Sequence, residues 1–292
     1  MVIRQVKKNF PEKYIMIDDC KIRYLDYNRH IHKSDNNRSH TLVLLHGIGA
    51  SCERWIKTAP ELSKYFRVII PDIIGFGYSC KPKECYTMDF FIYFMVKFLE
   101  NLNIVDMNDN DNNGNKIIIV GSSFGGLLAV EFAMRFSNLI EKLVLVSPVG
   151  TSMLAPTPEF NKYRFAANIP RYDNAEAALR DMVYDPSVIT KEMVEDFVRR
   201  MHLENAIFAF NSTFDTIRYK RGIQLRLSKI SKPTLVVWGK NDRIIPYKYQ
   251  LLEYTEIPDI RIEIINECGH LPPVEKPSKF NKIIKEYLLD KC

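Results

Sequence analysis

Three residues of this chain have the types and the placement of a nucleophile, a base and the acid that orients the base. Ser123 stands at the centre of Gly121-Ser122-Ser123-Phe124-Gly125. Upstream, Ile117 to Val120 form a β-branched apolar run that predicts a buried strand, and from Phe124 the pattern turns helical. A strand that turns at once into a helix strains the residue at the corner, which is tolerable only between small neighbours. Gly121 and Gly125 supply that room and leave the Ser123 hydroxyl at the tip. The first N–H groups of the following helix converge on the same spot, where they can stabilise negative charge. Asp242 follows the apolar run Thr234–Trp238 in a turn, and His270 follows the run Arg261–Ile265 in another. Alone, Asp242 reads as a turn former beside Asn241, and His270 as a loop residue between Gly269 and Leu271. Together they complete the order Ser, Asp, His, each after a predicted strand. That combination suits nucleophilic attack by a hydroxyl whose proton goes to an imidazole held in one tautomer by a carboxylate.

The elements that must position these residues can be read in chain order. Lys13–Ile17 and Lys21–Tyr27 predict a hairpin, and Thr41–Leu45 a buried strand ending in the glycine turn His46-Gly47-Ile48-Gly49. Residues 52–64 have helical spacing, Arg67–Pro71 predicts a strand and Thr87–Leu102 a long apolar helix. After the Ser123 unit comes another strand, Lys142–Val146. This alternation predicts an α/β fold: a mostly parallel central sheet with helices on both faces, whose ligand site lies at the C-terminal strand ends. The alternation stops at residue 150. Residues 150–226 show only helical segments, near Asp173 (with Glu176 in capping-box spacing), Thr190–Met201 and Glu204–Ile217. The expected organisation is therefore a core over 1–149, a helical insertion over 150–226, and a returning core over 227–292, closed by a helix at 278–290.

Composition narrows the function classes. A chain of 292 residues, 46% hydrophobic, can bury a sizeable core. The formal charge of +6 comes from 41 basic against 35 acidic residues that are dispersed, so no nucleic-acid partner is expected. No run of eighteen apolar residues predicts a membrane span, and residues 1–10 lack the pattern of a secretory leader. Cysteines 20, 52, 80, 85, 268 and 292 show no Cys-x-x-Cys pair, so reduced thiols in a cytoplasmic protein are expected. His30, His32 and His40 lie in a polar stretch without partner ligands and read as exposed surface rather than a metal cluster. Residues 106–115 form an Asp/Asn tract, read as a surface loop. No metal or organic cofactor is expected. The oligomeric state stays open, a homodimer among the options.

Five blocks together carry a family resemblance: His46-Gly47-x-Gly49, Asp72-x-x-Gly75-x-Gly77-x-Ser79, Gly121-x-Ser123-x-Gly125, Trp238-Gly239-x-x-Asp242, and Gly269-His270-x-Pro272-x-x-Glu275-x-Pro277. Over nearly its whole length the chain resembles the α/β-hydrolase superfamily, in its capped serine esterase and carbon–carbon bond hydrolase branch. The resemblance implies Ser123 as nucleophile, His270 as base and then acid, and Asp242 as orienter. It also implies an oxyanion hole from the backbone N–H groups of Ile48 and Phe124, a structural His46, and a helical cap over 150–226. A serine rather than an aspartate at the elbow disfavours the epoxide hydrolase and dehalogenase relatives. The first expectation is a serine carboxylesterase acting on short-to-medium acyl esters, its cap shaping an apolar pocket. Lipase or monoacylglycerol lipase activity, carbon–carbon bond hydrolysis of ring-fission diketones, and a catalytically silent receptor remain alternatives. The diketone reading asks for polar or cationic cap residues, with Arg164, Arg171 and Arg180 as candidates.

Overall fold

The architecture comes from a computed structural model, which describes residues 11–27, 41–106, 116–150, 156–219 and 227–290. Eight strands form one sheet: β1 Glu12–Ile17, β2 Cys20–Tyr27, β3 Thr41–Leu45, β4 Arg67–Pro71, β5 Ile117–Ser122, β6 Ile140–Val146, β7 Thr234–Gly239 and β8 Ile260–Ile265. Their order is β1-β2-β4-β3-β5-β6-β7-β8. The first two strands run antiparallel to their neighbours, and every later pairing is parallel.

The four central strands are covered on both sides, which explains why they read as unbroken apolar runs rather than alternating ones. Successive side chains nevertheless point to opposite faces. Val43, Leu45, Ile117, Ile119, Leu143, Leu145, Val236 and Trp238 enter one core layer. Leu42, Leu44, Ile118, Val120, Val144, Val146, Leu235 and Val237 enter the other. On the first side lie α2 (Met88–Asn101) and α3 (Phe124–Arg135). On the second lie the short α1 (Ala59–Leu62) and the closing α10 (Pro277–Leu289), which contributes Phe280, Ile283 and Ile284. Each such side chain contributes about 1.5–3 kcal/mol when fully buried. The sheet is thereby a stiff platform for the loops at its edge.

Between β6 and β7 the described chain inserts four helices: α4 Pro158–Asn168, α5 Tyr172–Asp181, α6 Lys191–Met201 and α7 Ala206–Tyr219. They form a helical cap whose interior is aromatic, with Phe160 stacked on Phe214 at 5.6 Å and Tyr163 beside Phe197 at 5.5 Å. Thr157 and Thr190 cap α4 and α6 through their hydroxyls. The capping box expected at Asp173 and Glu176 is absent. Helix α5 begins after Arg171 with no side-chain cap, and Glu176 instead pairs with Arg180 one turn on, at 3.0 Å. Helix α4 and the post-β7 helices α8 (Tyr247–Tyr254) and α9 (Pro272–Glu275) were not anticipated. Short spans and proline-rich starts hide their periodicity.

The thiol expectation needs a correction: Cys20 at the start of β2 and Cys80 in the loop after β4 are joined as a disulfide. Sixty residues separate them in sequence, and only the antiparallel β2–β4 pairing brings them together. Cys52 and Cys268 are free and buried, and Cys85 is free and exposed. The histidine-rich stretch at 28–40 and most of the Asp/Asn tract lie outside the described residues. No described helix is long and apolar enough to cross a membrane.

Candidate functional site

Ser123 sits at the junction of β5 and α3 with φ 55° and ψ −118°, a conformation that costs a non-glycine residue of order 1–3 kcal/mol. Surrounding bonds hold it there. Its N–H donates to Val146 O at 2.9 Å, and its carbonyl accepts from Gly126 and Val149. The flanking glycines are required by close approach. A Cβ at Gly125 would stand 2.5 Å from Leu45 O and 2.6 Å from His46 O, and one at Gly121 would overlap the Gly125–Gly126 backbone. Phe124 anchors the start of α3 by packing edge-on against Phe91, with ring centres 4.8 Å apart.

Asp242 and His270 come from neighbouring parallel strands. The loops after β7 and β8 approach so closely that a Cβ at Gly239 would overlap the carbonyls of Cys268 and Gly269. His270 Nδ1 lies 2.8 Å from Asp242 Oδ2. The same oxygen accepts from Trp238 Nε1, and Oδ1 accepts from the N–H groups of Ile244 and Ile245 at 2.9 and 2.8 Å. Four donors therefore converge on one buried carboxylate. Being bonded to a carboxylate, Nδ1 carries the proton, which leaves Nε2 as the acceptor of the ring. Glu275 organises the His270 loop from below by accepting from the backbone of Gly269, Leu271 and Tyr184. The imidazole itself is nearly inaccessible to solvent.

Ser123 and His270 line one cleft together with Gly47, Ile48, Arg54, Phe160, Tyr163 and Met182. Its floor is the loop that follows β3. His46 is wholly buried there, its Nδ1 donating to Gly47 O at 2.8 Å and its Nε2 accepting from Ile73 N–H at 3.0 Å. Burial pushes the imidazole down to about 4, so it is neutral at pH 7. The cap reaches down to the same loop. Tyr163 donates its hydroxyl to Ile48 O at 2.9 Å, and Arg200 donates to Gly49 O at 2.6 Å while paired with Asp196. The cap also accepts the His270 N–H at Met182 O, 2.7 Å away.

The Asp72 block does different work. Asp72 is buried, accepts from the N–H groups of Cys52 and Tyr78, and pairs with Arg23 at 3.1 Å. Cys52, Glu53 and Asp72 could point three ligand atoms at one spot. The Arg23 guanidinium already bonds both carboxylates, and burial pushes the Cys52 thiol up. These residues tie the β3 loop to the β4 loop and do not suit a cation.

Of the arginines singled out in the cap, none lines the cleft. Arg164 lies over the Phe214 ring, Arg180 pairs with Glu176, and Arg171 is exposed at the start of α5. The cation that does line it is Arg54, on the 3-10 turn Cys52–Trp55. Its only sequence signal is position, five residues beyond the His46–Gly49 block and one before a buried tryptophan.

The α/β hydrolase fold family matches residues 40–181. The chain is 27% identical to 2-hydroxy-6-oxo-6-phenylhexa-2,4-dienoate hydrolase of Burkholderia cepacia, over 97% of this chain and 98% of the relative. It is also 27% identical to 2-hydroxy-6-oxo-2,4-heptadienoate hydrolase of Pseudomonas putida, over 87% and 91%. A meta-cleavage product hydrolase of Pseudomonas fluorescens superposes with a TM-score of 0.80 at 25% identity, covering 94% of this chain and 97% of the other. These relatives overturn the carboxylesterase expectation and its lipase variant. They are hydrolases of hydroxy-oxo-dienoates and of meta-cleavage products, whereas the motif blocks are common to the whole fold and do not distinguish such substrates from esters. With its eight-stranded sheet and its cap between β6 and β7 the chain has the α/β-hydrolase fold, and it is similar over most of its length to the meta-cleavage product hydrolases.

Proposed function

We propose that this chain hydrolyses a carbon–carbon bond in a 2-hydroxy-6-oxodienoate, the ring-fission product of an aromatic compound. The observation that carries the reading is the near end-to-end match to a hydrolase of such a dienoate, over 97% of this chain. The geometry supports it: a serine at a strained elbow, an Asp-oriented imidazole and a cationic side chain share one capped cleft.

In this reading the dienol tautomerises to its keto form, which places a proton on C5. His270 Nε2 takes the Ser123 proton as the hydroxyl oxygen bonds to the C6 carbonyl carbon. The backbone N–H groups of Ile48 and Phe124 receive the oxyanion, and such donors contribute about 3–4 kcal/mol each in related acyl chemistry. Collapse of the tetrahedral centre breaks the C5–C6 bond. The electron pair spreads through the conjugated chain onto the C2 oxygen, and His270 returns its proton to the dienolate. Water, activated by the same imidazole, then frees the second carboxylic acid from Ser123. A carbanion leaves only because conjugation stabilises it, so the substrate must carry the vinylogous carbonyl.

The test is direct. Purified protein mixed with 2-hydroxy-6-oxo-6-phenylhexa-2,4-dienoate should bleach the dienolate's visible absorbance and yield benzoate and 2-hydroxypentadienoate. Absence of bleaching with this substrate and its 6-methyl analogue, in protein that still labels at Ser123, would overturn the proposal.

A further inference from the structure

Arg54 is a charged side chain without a described protein partner, in the one cleft that also holds Ser123 and His270. Among the described residues no carboxylate lies within ion-pair range of its guanidinium. The nearby acid, Glu275, has its oxygens engaged by the N–H groups of Gly269, Leu271 and Tyr184. The other guanidinium close by, Arg200, is committed to Asp196 and to Gly49 O. Tyr163 donates its proton to Ile48 O. The acid and the second cation closest to Arg54 are thus both bonded elsewhere. Burial pushes the Arg54 guanidinium down to about 10, with Arg200 adding to the effect. It therefore remains a cation at neutral pH, with no carboxylate among the described residues in direct contact.

Leaving a charge partly desolvated and unpaired is costly, and chains retain one where a ligand completes it. A guanidinium presents two parallel N–H donors that match a carboxylate. We propose that Arg54 receives the carboxylate of the substrate, fixing the chain so that its far carbonyl reaches Ser123. The proposal rests on the dienoate reading above and names the residue that selects the acid over neutral analogues. The cation comes from the core, on the turn after β3, while the cap supplies apolar walls through Phe160, Tyr163 and Met182. Substrate orientation is then set by the same loop that carries Ile48. An anion bound at one end and an oxyanion formed at the other are held by one rigid segment, itself tied down by Asp72 through the Cys52 N–H at 2.7 Å.

The experiment uses hexa-2,4-dienoate, which carries the carboxylate and diene but no scissile ketone, and hexa-2,4-dienamide as its neutral counterpart. Each is tested for slowing covalent labelling of Ser123 by a fluorophosphonate. In the native protein the acid should protect at least tenfold better than the amide, and in R54Q that preference should vanish. Equal protection by acid and amide in the native protein would overturn the assignment whatever the variant does. So would an undiminished preference in R54Q. A second readout is the ratio of kcat/KM for 2-hydroxy-6-oxo-6-phenylhexa-2,4-dienoate over that for its methyl ester, which should fall at least tenfold in R54Q and less in R54K. If neither compound is cleaved by the native protein, the carbon–carbon reading fails, while the protection assay still decides the role of Arg54.

Discussion

His46 gives the sharpest quantitative prediction, because its environment admits only the neutral ring. Nδ1 donates to Gly47 O and Nε2 accepts from Ile73 N–H, so a second ring proton would face a donor instead of a lone pair. Burial holds the imidazole at about 4, against 6.5 for the ordinary side chain. Between these values the unfolded chain binds a proton that the folded chain refuses. Stability is therefore complete above about pH 6.5 and falls as the pH drops toward 4. At 1.36 kcal/mol per unit the full effect is about 3.4 kcal/mol, of which about 2 kcal/mol is lost by pH 5. Carboxylates add loss of the same sign only at lower pH. Glu53 is held near 2 and Asp26 below its usual range, chiefly by Arg23 and Arg67 working against burial, so both protonate below their ordinary values.

The assay is urea unfolding at constant ionic strength, at pH 7.5 and pH 5.0. The native protein should lose about 2 kcal/mol across that interval. His46→Gln, which keeps an acceptor for the Ile73 N–H, should be less stable overall yet show a much flatter dependence. Equal slopes in the two proteins would refute the reasoning, as would an NMR spectrum showing a charged His46 ring in folded protein at pH 5.5. The consequence reaches function. His46 underlies Gly47 and Ile48, so the acid limb of activity should be joined by irreversible loss on prolonged incubation near pH 4.5.

Other outcomes follow from the same geometry. Ser123→Ala should abolish dienoate cleavage with little change in unfolding midpoint, read by absorbance and thermal melts. Asp242→Asn should lower kcat by about 10³–10⁴, since the wrong tautomer of His270 is then favoured. Gly239→Ala should destabilise the fold by about 3 kcal/mol or more, because its Cβ would overlap two carbonyls of the His270 loop. Tyr163→Phe should lower kcat more than it changes KM, since it frees the Ile48 peptide without altering the cleft's apolar wall.

Much of this was legible in the sequence, for identifiable reasons. Buried parallel strands appear as runs such as Ile117–Val120, and a glycine-flanked serine between strand and helix has few other uses. Those signals located the sheet, the elbow, and Ser123 and His270, which line one cleft. What escaped depends on tertiary approach. Cys20 and Cys80 meet only because β2 pairs with β4. Glu176 has the spacing of a capping residue, yet its carboxylate finds Arg180 on its own helix. Arg54 looks like any surface arginine until the cap closes over it. Cap arginines looked more apt for an acidic substrate because the cap was expected to carry specificity, but they face Phe214, Glu176 or solvent. The choice between ester and carbon–carbon bond was beyond motif blocks shared by the whole fold. It turned on relatives matched end to end.

The cap also proves less separable from the chemistry than its place in the sequence suggests. An insertion between β6 and β7 could in principle lie on the core as a lid that tunes access alone. Here it makes three bonds to the backbone of the reacting loops: Tyr163 to Ile48 O, Arg200 to Gly49 O, and Met182 O from His270 N–H. The first two fix the Ile48–Gly49 and Gly49–Ala50 peptide planes, and through them restrain the loop that carries the Ile48 N–H. The third fixes the main chain of His270, the proposed base. An oxyanion donor misdirected by an ångström forfeits much of its electrostatic advantage. A core stripped of its cap would therefore keep Ser123 on its elbow, held by Val146 O and the flanking glycines, and remain open to covalent labelling. It would lose the alignment that turns labelling into turnover. In the proposed mechanism cap and core are thus joined where transition-state charge would develop, and cap substitutions should change kcat as well as substrate choice.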